Sequence, residues 1–162
     1  MHPRDELSIR PVAGQREIES CACMMRDSEP WLTLGRGYES GLAMLEDPTR
    51  ECHVAIAGSE VVGFAALIMR GALVGYLQAI CVAPAFRGRG IGRALMDFSE
   101  TLVFSRHPNL FLAVSDFNVD ARAFYQRLGY QVVGELKNYL VAGHSEILMR
   151  KTRGPIRGYS RQ

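Results

Sequence analysis

The sequence has no apolar run as long as a membrane-spanning helix, and its first residues, Met1 to Glu6, lack the apolar stretch of a secretory signal. We therefore expect a cytoplasmic protein without a membrane partner. The formal net charge is only +2 and no basic stripe follows a helical spacing, so we expect no nucleic-acid partner. With 48% hydrophobic and 22% charged residues, the composition is that of an ordinary globular protein.

Cysteine is scarce as well: Cys21, Cys23, Cys52 and Cys81 show no disulfide framework. The pair Cys21 and Cys23 could form half of a metal site, but no second Cys or His pair stands at a suitable spacing to complete it. We therefore expect free thiols and no bound metal.

The length of 162 residues is enough for one domain with a sizeable core, and no internal repeat or second domain is visible. We predict a single domain over residues 1–153. Residues 154–162 combine arginine with glycine and proline, and we expect them to form a basic tail that is loose or only partly docked.

Hydrophobic periodicity and turn residues predict an α/β fold. Between Tyr76 and Val114 a strand, a helix and another apolar strand follow one another, which implies a parallel pair joined by a right-handed crossover. We expect a mixed sheet with helices on both faces. Strands are predicted at 7–12, 52–57, 61–69, 76–82, 110–114, 130–141 and 145–151, and helices at 15–25, 38–46, 91–102 and 118–128.

A glycine-rich turn stands at the centre of this pattern, between the strand that Pro84 stops and the helix that follows. In the stretch Arg87-Gly88-Arg89-Gly90-Ile91-Gly92-Arg93, the glycines let the main chain approach a ligand closely. A helix N-terminus adds unpaired N–H groups and the positive end of its dipole, which suit a phosphate. We interpret the turn as an anion-binding loop. An ordinary turn with arginines for solubility is the alternative.

Two familiar phosphate loops do not fit this turn. A Walker A loop needs Gly-Lys followed by Ser or Thr, and the pairs here are Arg89-Gly90 and Gly92-Arg93. The dinucleotide fingerprint needs a third glycine, and Arg93 stands in its place.

What remains is Arg87-x-x-Gly90-x-Gly92 after a strand that ends in Val82-x-Pro84. Downstream, the residues from Asn118 to Tyr130 match the pattern Asn-x-x-Ala-x-x-Phe-Tyr-x-x-x-Gly-aromatic. The two motifs, in this order and separation, resemble those of the GNAT superfamily of acyl-CoA-dependent N-acetyltransferases. The similarity covers about residues 51–151.

This resemblance implies a GNAT-like, mostly antiparallel sheet whose central parallel pair splays to admit acetyl-CoA as co-substrate. It makes Tyr125 the general acid that protonates the leaving thiolate, and it gives Asn118 a hydrogen bond to the pantetheine arm. A core aromatic and a plain helix N-cap are the alternatives for these two residues. The implied cofactor-binding residues are Ile80, Cys81 and Val82 through their main chain, Arg87, Gly88, Arg89, Gly90, Ile91, Gly92 and Arg93 for the diphosphate, and Asn118 and Tyr125.

The acceptor site is less well marked. In GNAT proteins the segment between the first two helices contributes to acceptor recognition, so the resemblance makes substrate-binding candidates of Glu29, Trp31, Thr33 and Arg36. For Trp31, the one tryptophan of the chain, packing under a loop is an equal alternative.

A general base is missing from its usual place. GNAT proteins often carry a glutamate on a central strand, where this sequence has Gln78 and Ala113. Neutralising a lysine amine at pH 7 costs about 4.6 kcal/mol, whereas an α-amine costs about 1 kcal/mol, so the absence favours acceptors of low pKa. The candidate substitutes for the base are Glu29, Asp116, His144 and Glu146.

The last part of the chain, with Asn138-Tyr139 and Gly143-His144-Ser145-Glu146, is similar to the bacterial ribosomal-protein alanine N-acetyltransferases. Those proteins carry a glutamate where Ala113 stands. We predict an acetyl-CoA-dependent N-acetyltransferase in which an amine attacks the thioester directly. The acceptor is a small molecule or a protein N-terminus. A catalytically idle acyl-CoA sensor is the alternative, and a homodimer is left open.

Overall fold

The computed structural model describes residues 7–160, and the predicted order of strands and helices is confirmed there. Apart from the end of β6, the bounds are identical to the predicted ones or differ by one or two residues. The elements are β1 (Ser8–Pro11), α1 (Gln15–Arg26), α2 (Tyr38–Glu46), β2 (Arg50–Ala57), β3 (Glu60–Ile68), β4 (Tyr76–Val82), α3 (Ile91–Phe104), β5 (Asn109–Ser115), α4 (Val119–Arg127), β6 (Gln131–Lys137) and β7 (Ser145–Thr152).

The prediction for β6 was wrong at one end, because the strand stops at Lys137 and not at Val141. Asn138 takes a left-handed backbone conformation, with φ 50°, which a strand does not allow. Its side-chain Oδ1 accepts a hydrogen bond of 2.8 Å from Gly143 N. The apolar run after Asn138 therefore belongs to a loop that is closed by its own first side chain.

The seven strands form one sheet in the order β1-β2-β3-β4-β5-β7-β6. The pairs β1–β2, β5–β7 and β6–β7 are antiparallel, whereas β4 and β5 are parallel. Tyr76 pairs with Phe111 and Leu77 with Leu112, so the parallel register lies at the start of β4. The predicted fold class, a mixed and mostly antiparallel sheet with a central parallel pair, is confirmed.

The described chain divides into two compact units, residues 7–67 with 79–99 and residues 68–78 with 100–160. Both β4 and α3 continue from one unit into the other. The prediction of a single domain over residues 1–153 stays a prediction.

The core of the first unit is built on one face of α1. That face packs against side chains from α2, from the connection after α1 and from three strands. The members of this cluster are Cys21, Ala22, Met24, Met25, Trp31, Leu45, Cys52, Val54, Phe64, Ala66, Ala79 and Cys81.

The four cysteines are free, as predicted. Burial raises the pKa of Cys21 to about 12 and that of Cys52 to about 11, so both remain neutral thiols at physiological pH. They act as small apolar side chains in the core.

The core of the second unit lies around β5, whose residues Leu110, Leu112 and Val114 are buried. Ile147 and Met149 of β7 are buried as well. The near-continuous apolar sequence of β5 is typical of a strand that is covered on both faces.

The C-terminal tail contacts the end of α3 in the same unit. The Tyr159 hydroxyl donates a hydrogen bond to the Phe104 carbonyl, and the Arg153 guanidinium lies 4.5 Å from the Phe104 ring centroid. Tyr159 belongs to the predicted tail, whereas Arg153 is the last residue before it, and the prediction of a loose or partly docked tail over residues 154–162 stays a prediction. Residues 161–162, like Met1 to Glu6, lie outside the described residues.

Strand β6 stands last in the sheet order, beside β7 alone. Val132, Val133 and Leu136 are exposed, although they do not all point to the same side of the strand. The pairing with β7 is irregular between Val132 and Gly134, where a bulge shifts the register.

Gly63 in β3 marks a close approach of backbones inside the first unit. A Cβ added there would lie 2.8 Å from the Cys81 carbonyl oxygen and 3.1 Å from Leu95 Cδ1. The carbonyl belongs to the main chain of β4 and cannot rotate away. Residue 63 is therefore a glycine because the end of β4 leaves no room for a side chain.

We expect Gly63→Ala to destabilise the protein by about 1–3 kcal/mol through overpacking, which lowers the apparent melting temperature by several degrees. Circular dichroism during heating measures the change. The matched control is Gly134→Ala, where an added methyl group meets no atom within 4 Å. Equal melting temperatures for the two variants would contradict the close approach.

Candidate active site

The predicted anion-binding loop begins where β4 is fixed to β3. Ala83 N donates a hydrogen bond of 2.9 Å to the Val62 carbonyl, and the short 3-10 helix Pro84–Phe86 follows. The chain then turns through Gly88 and Gly90, whose φ angles of 74° and 81° lie in the left-handed region. These two turns are why glycine is needed before α3.

The loop presents unpaired main-chain donors. Ala94 N donates to the Gly90 carbonyl at 3.0 Å and is the first N–H with an α-helical partner. Within residues 7–160, the N–H groups from Gly88 to Arg93 have no protein acceptor. Together with the positive end of the α3 dipole, these donors fit a diphosphate.

The arginines of the loop are engaged with the protein. Arg87 Nε donates to the Val82 carbonyl at 3.1 Å, and its Nη2 donates to Ser28 Oγ at 3.0 Å. This residue therefore ties the end of β4 to the segment that follows α1. Its guanidinium is engaged by two protein acceptors, which distinguishes it from a free phosphate ligand.

The other two arginines also have partners. The Arg89 guanidinium lies 5.0 Å from the Phe86 ring centroid. Arg93 pairs with Asp97 one helical turn away at 2.9 Å, and both side chains are more than half exposed. An exposed ion pair of this kind contributes little to the stability of the fold, so a ligand can readily displace Asp97 from Arg93.

At the end of β4, the Cys81 side chain is not available to a ligand. The Cys81 side chain points into the core, where its Sγ lies 3.7 Å from Ser28 Oγ. Burial raises the pKa of this thiol as well. The Cys81 thiol is therefore not accessible as a reactive side chain, and the predicted binding of a cofactor by the main chain of Ile80, Cys81 and Val82 stays a prediction.

In the second unit, α4 carries the two motif residues. Asn118 is the N-cap of α4, and its Oδ1 accepts a long hydrogen bond of 3.4 Å from Ala121 N. The alternative of a helix cap is therefore correct for its oxygen. The side-chain NH2 group remains available as a donor to another partner.

Tyr125 is 8% exposed and contacts Phe124 and Tyr130 edge-on, with ring centroids 5.3 and 5.9 Å away. Burial raises the pKa of its phenol above the usual value. Among residues 7–160, its hydroxyl has no hydrogen-bond partner. A neutral phenol with a free O–H is what a proton donor requires, while the ring also serves the core.

The four candidate acceptor residues all lie in the connection between α1 and α2, but they differ in character. Trp31 is buried in the core of the first unit, which is the packing alternative. Glu29 accepts hydrogen bonds from the Thr33 N–H and hydroxyl at 3.1 and 2.9 Å, and this turn holds the connection together. Arg36 is exposed.

Among the candidate bases, Asp116 and His144 form a pair. Asp116 Oδ1 lies 3.1 Å from His144 Nδ1, and its other oxygen accepts 2.9 Å from Ser145 N. The Ser145 bond, and after it the His144 contact, lowers the pKa of the Asp116 carboxyl. The His144 ring also meets Phe117 edge-on at 4.9 Å. The imidazole is thus held at two points.

Glu146, the remaining candidate base, is buried at the β5–β7 pairing. Its Oε1 accepts a hydrogen bond of 2.6 Å from Ser115 Oγ. A carboxylate in this position is part of the sheet interior of the second unit.

One residue with a functional environment was not singled out from the sequence. Arg122 of α4 has its Nε buried without a partner among the described residues. Its spacing of four residues from Asn118 and three from Tyr125 was the signal that could have found it, since such spacings share one helix face.

The described residues contain no group of three or more His, Cys, Asp or Glu side chains that could hold a metal ion. None of the helices in this part of the chain has the length and apolar character that crossing a bilayer requires.

Comparison with known proteins decides the family. A family model described as "Acetyltransferase (GNAT) family" matches residues 15–130, which is more than half of the 162 residues. The chain belongs to the GNAT acetyltransferase family.

Known proteins are similar to this GNAT protein over most of its length. N-alpha-acetyltransferase RimI from Mycobacterium tuberculosis strain H37Rv is 32% identical over 145 residues, which cover 87% of each chain. The solved ribosomal-protein-S18-alanine N-acetyltransferase from Escherichia coli has a TM-score of 0.72 and 18% identity, and the match covers 96% of this chain and 100% of that one. An aminoglycoside 6′-N-acetyltransferase solved with coenzyme A has a TM-score of 0.75 and 22% identity, with 91% and 98% covered. Because both identities are low, these two structures show a similarity of fold and nothing further.

The GNAT protein is thus an acetyl-CoA-dependent N-acetyltransferase, and the predicted enzyme class and co-substrate are confirmed. The alternative of an idle acyl-CoA sensor is not favoured, because the relative that spans most of the chain is named as an enzyme. The predicted likeness to ribosomal-protein alanine N-acetyltransferases is confirmed as well.

We expect Gly90→Ala to weaken CoA binding about tenfold. Alanine is strained in the left-handed region, and a backbone that relaxes from this strain would turn the N–H groups of the loop away from the phosphate. Isothermal titration calorimetry with CoA measures the change.

The matched control is Gly14→Ala. Gly14 has a φ of 79°, stands before α1 as Gly90 stands before α3, and likewise has no atom within 4 Å of an added Cβ. Both variants should lose similar stability, and only Gly90→Ala should lose affinity. Unchanged affinity in Gly90→Ala would refute the role of the loop.

Proposed function

We propose that this GNAT protein acetylates the α-amine of a protein or peptide N-terminus. The observation that carries the proposal is the 32% identity to a relative named as an N-alpha-acetyltransferase, over 87% of both chains. The central strands support it, since Ala113 on β5 offers no carboxylate to deprotonate a more basic amine. A small-molecule amine is the competing acceptor.

The proposed cofactor contacts follow the family resemblance. The main-chain N–H groups from Gly88 to Arg93 suit the diphosphate because no described protein acceptor uses them. Main-chain groups of residues 80–82 and the side-chain NH2 of Asn118 are assigned to the pantetheine arm, and Tyr125 is assigned to the sulfur. In this assignment the arginines Arg87, Arg89 and Arg93 supply charge, and the main chain supplies the directed hydrogen bonds.

The acceptor's pKa determines how strong a base the enzyme needs. At pH 7 a neutral α-amine costs about 1 kcal/mol and a neutral lysine about 4.6 kcal/mol. His144 is suited to the smaller of these costs, because with Nδ1 protonated toward Asp116 its Nε2 lone pair has no partner among residues 7–160. In contrast, Glu29 is engaged within its own turn and Glu146 is buried. We therefore favour His144 as the base, oriented by Asp116.

The proposed chemistry needs one proton acceptor and one proton donor. Acetyl-CoA supplies the thioester carbonyl that the amine attacks. His144 takes the amine proton as the C–N bond forms, and the Tyr125 hydroxyl gives its proton to sulfur as the C–S bond breaks, so that the thiol leaves neutral. Because burial raises the pKa of Tyr125, its phenol keeps its proton over the whole neutral range and acts as an acid.

The acceptor would enter near the connection between α1 and α2, as the resemblance suggests. Glu29, Thr33 and Arg36 are exposed polar side chains of this connection, and we assign acceptor contacts to them. We assign Trp31 the role of anchoring this connection in the core. Residence in the cytoplasm, the absence of nucleic-acid and membrane partners, and a homodimer stay predictions.

We expect Tyr125→Phe to lower kcat by about 10²–10⁴-fold and to leave the Kd for CoA nearly unchanged, since the variant loses only the acidic hydroxyl. Tyr130→Phe is the control, because Tyr130 is a second buried tyrosine in contact with Tyr125. Steady-state kinetics and calorimetry give the two quantities. Similar kcat values in both variants would rule out Tyr125 as the acid.

The acceptor class is tested by release of CoA thiol in the presence of different amines. We expect peptides with a free α-amine to be acetylated, whereas the same peptides blocked at the N-terminus but carrying lysine should react at least a hundredfold more slowly. Mass spectrometry of the product locates the acetyl group. Preferential acetylation of aminoglycosides or other small amines would overturn the proposed acceptor and leave the family assignment intact.

A further inference from the structure

Arg122 has no counter-charge among the described residues. Its Nε is buried and has no hydrogen-bond acceptor among residues 7–160, and no ion pair of its guanidinium occurs among them. Each other arginine discussed above, except exposed Arg36, has a carbonyl, hydroxyl, carboxylate or ring as a partner. A buried N–H of a charged group that lacks a partner is costly, and a bound ligand is one way in which such a group is satisfied.

The position of Arg122 on α4 connects it to the two motif residues. At about 100° per residue, Arg122 lies about 40° from Asn118 around the helix axis, and Tyr125 lies about 20° from Asn118 on the other side. The three residues therefore share one face of α4. Helical side chains lean toward the helix N-terminus, so the Arg122 guanidinium is directed back toward the turn of Asn118.

The acidic side chain of α4 does not lie on the same helix face as Arg122. Asp120, the acidic residue of the first turn, lies about 160° from Asn118 around the axis and points to another side. The positive end of the helix dipole is at the same end of α4. An anion on the Asn118–Tyr125 face would thus meet a guanidinium and a helix N-terminus with no neighbouring carboxylate from α4.

We propose that Arg122 binds a phosphoryl group of CoA, as a cofactor-binding residue in addition to the glycine loop. This inference rests on the proposed function, in which Asn118 and Tyr125 face the cofactor. A guanidinium binds phosphoryl oxygens through two parallel N–H bonds, and phosphate is the anionic part of CoA. The 3′-phosphate and the diphosphate are the two sources of that group.

The test measures CoA binding directly and does not depend on turnover. We expect the Kd for CoA to rise about tenfold to a hundredfold in Arg122→Gln and by a smaller factor in Arg122→Lys, which keeps the charge but loses the planar fork. The matched control is Arg127→Gln, the same change on the same helix. Arg127 is exposed and lies about 180° from Asn118 around the axis. Its Kd should stay within about twofold of the wild type.

Truncated cofactors identify the group that is bound. If Arg122 holds the 3′-phosphate, the loss in Arg122→Gln disappears when dephospho-CoA replaces CoA. If it holds the diphosphate, the loss persists with dephospho-CoA and disappears with pantetheine, whose weak binding is followed by NMR titration. A loss that is the same with pantetheine, or no loss with CoA, would overturn the proposal.

A stability measurement separates a ligand site from a structural role. Arg122→Met replaces the side chain with apolar atoms as far as the position of Nε and removes the unpaired N–H, so the ligand-free variant should melt at the same temperature as the wild type or higher. Added CoA should raise its melting temperature less than that of the wild type. A lower melting temperature without ligand, together with a normal shift by CoA, would assign Arg122 to the fold.

Failure of the proposed function would look different from failure of this inference. Wild-type protein that does not bind CoA at all would remove both. Wild-type protein that binds CoA and acetylates α-amines, with Arg122→Gln equal to Arg127→Gln in affinity, would remove only the role of Arg122.

Discussion

The main-chain N–H groups from Gly88 to Arg93 must stay unpaired if the loop is to bind an anion, and this requirement explains the arrangement of the first unit around the loop. A helix always begins with donors that have no helical partner, and here they lie on or just after a turn whose left-handed φ angles at Gly88 and Gly90 favour glycine. Side chains could have capped these donors and made the turn more stable. The sequence places glycines and arginines there instead, so the donors remain open to an anion.

The rest of the first unit holds this turn in position. The bond from Ala83 to Val62 and the bonds from Arg87 to Val82 and Ser28 fix the end of β4. The missing side chain at Gly63 lets β3 lie against that end. Most of these contacts involve backbone atoms, and the one exception is the bond from Arg87 to the hydroxyl of buried Ser28.

Much of this could be predicted from the sequence, because it follows from local rules. The order of the strands and helices followed from alternating apolar residues, apolar runs, and glycine or proline at the turns. The family followed from the two motifs. The predictions were less accurate where a tertiary partner decides the outcome. Arg87 looks like a phosphate ligand until Ser28 and Val82 are found beside it. For Trp31 the sequence left packing and acceptor binding as equal alternatives, and only the structure places its ring in the core.

Other errors came from how the patterns were interpreted. The loop after Lys137 was taken for strand because Tyr139, Leu140 and Val141 are apolar. Asn138, which belongs to a residue type enriched in the left-handed region, was the signal that could have marked the end of β6. Arg122 was overlooked because arginine on a helix surface is common, and a missing counter-charge is seen only in three dimensions. His144 and Asp116 were named from the sequence, but 28 residues separate them and their contact could not be anticipated.

The bulge in β6 has a consequence for the open side of the sheet. A straight last strand with exposed Val132, Val133 and Leu136 would offer an incoming chain both a row of main-chain partners and apolar side chains, which is how edge-to-edge aggregation starts. The irregular step between Val132 and Gly134 breaks that row after two residues, and Lys137 puts a charge at its end. The irregular strand thus tolerates adjacent valines that a regular edge strand could not carry safely.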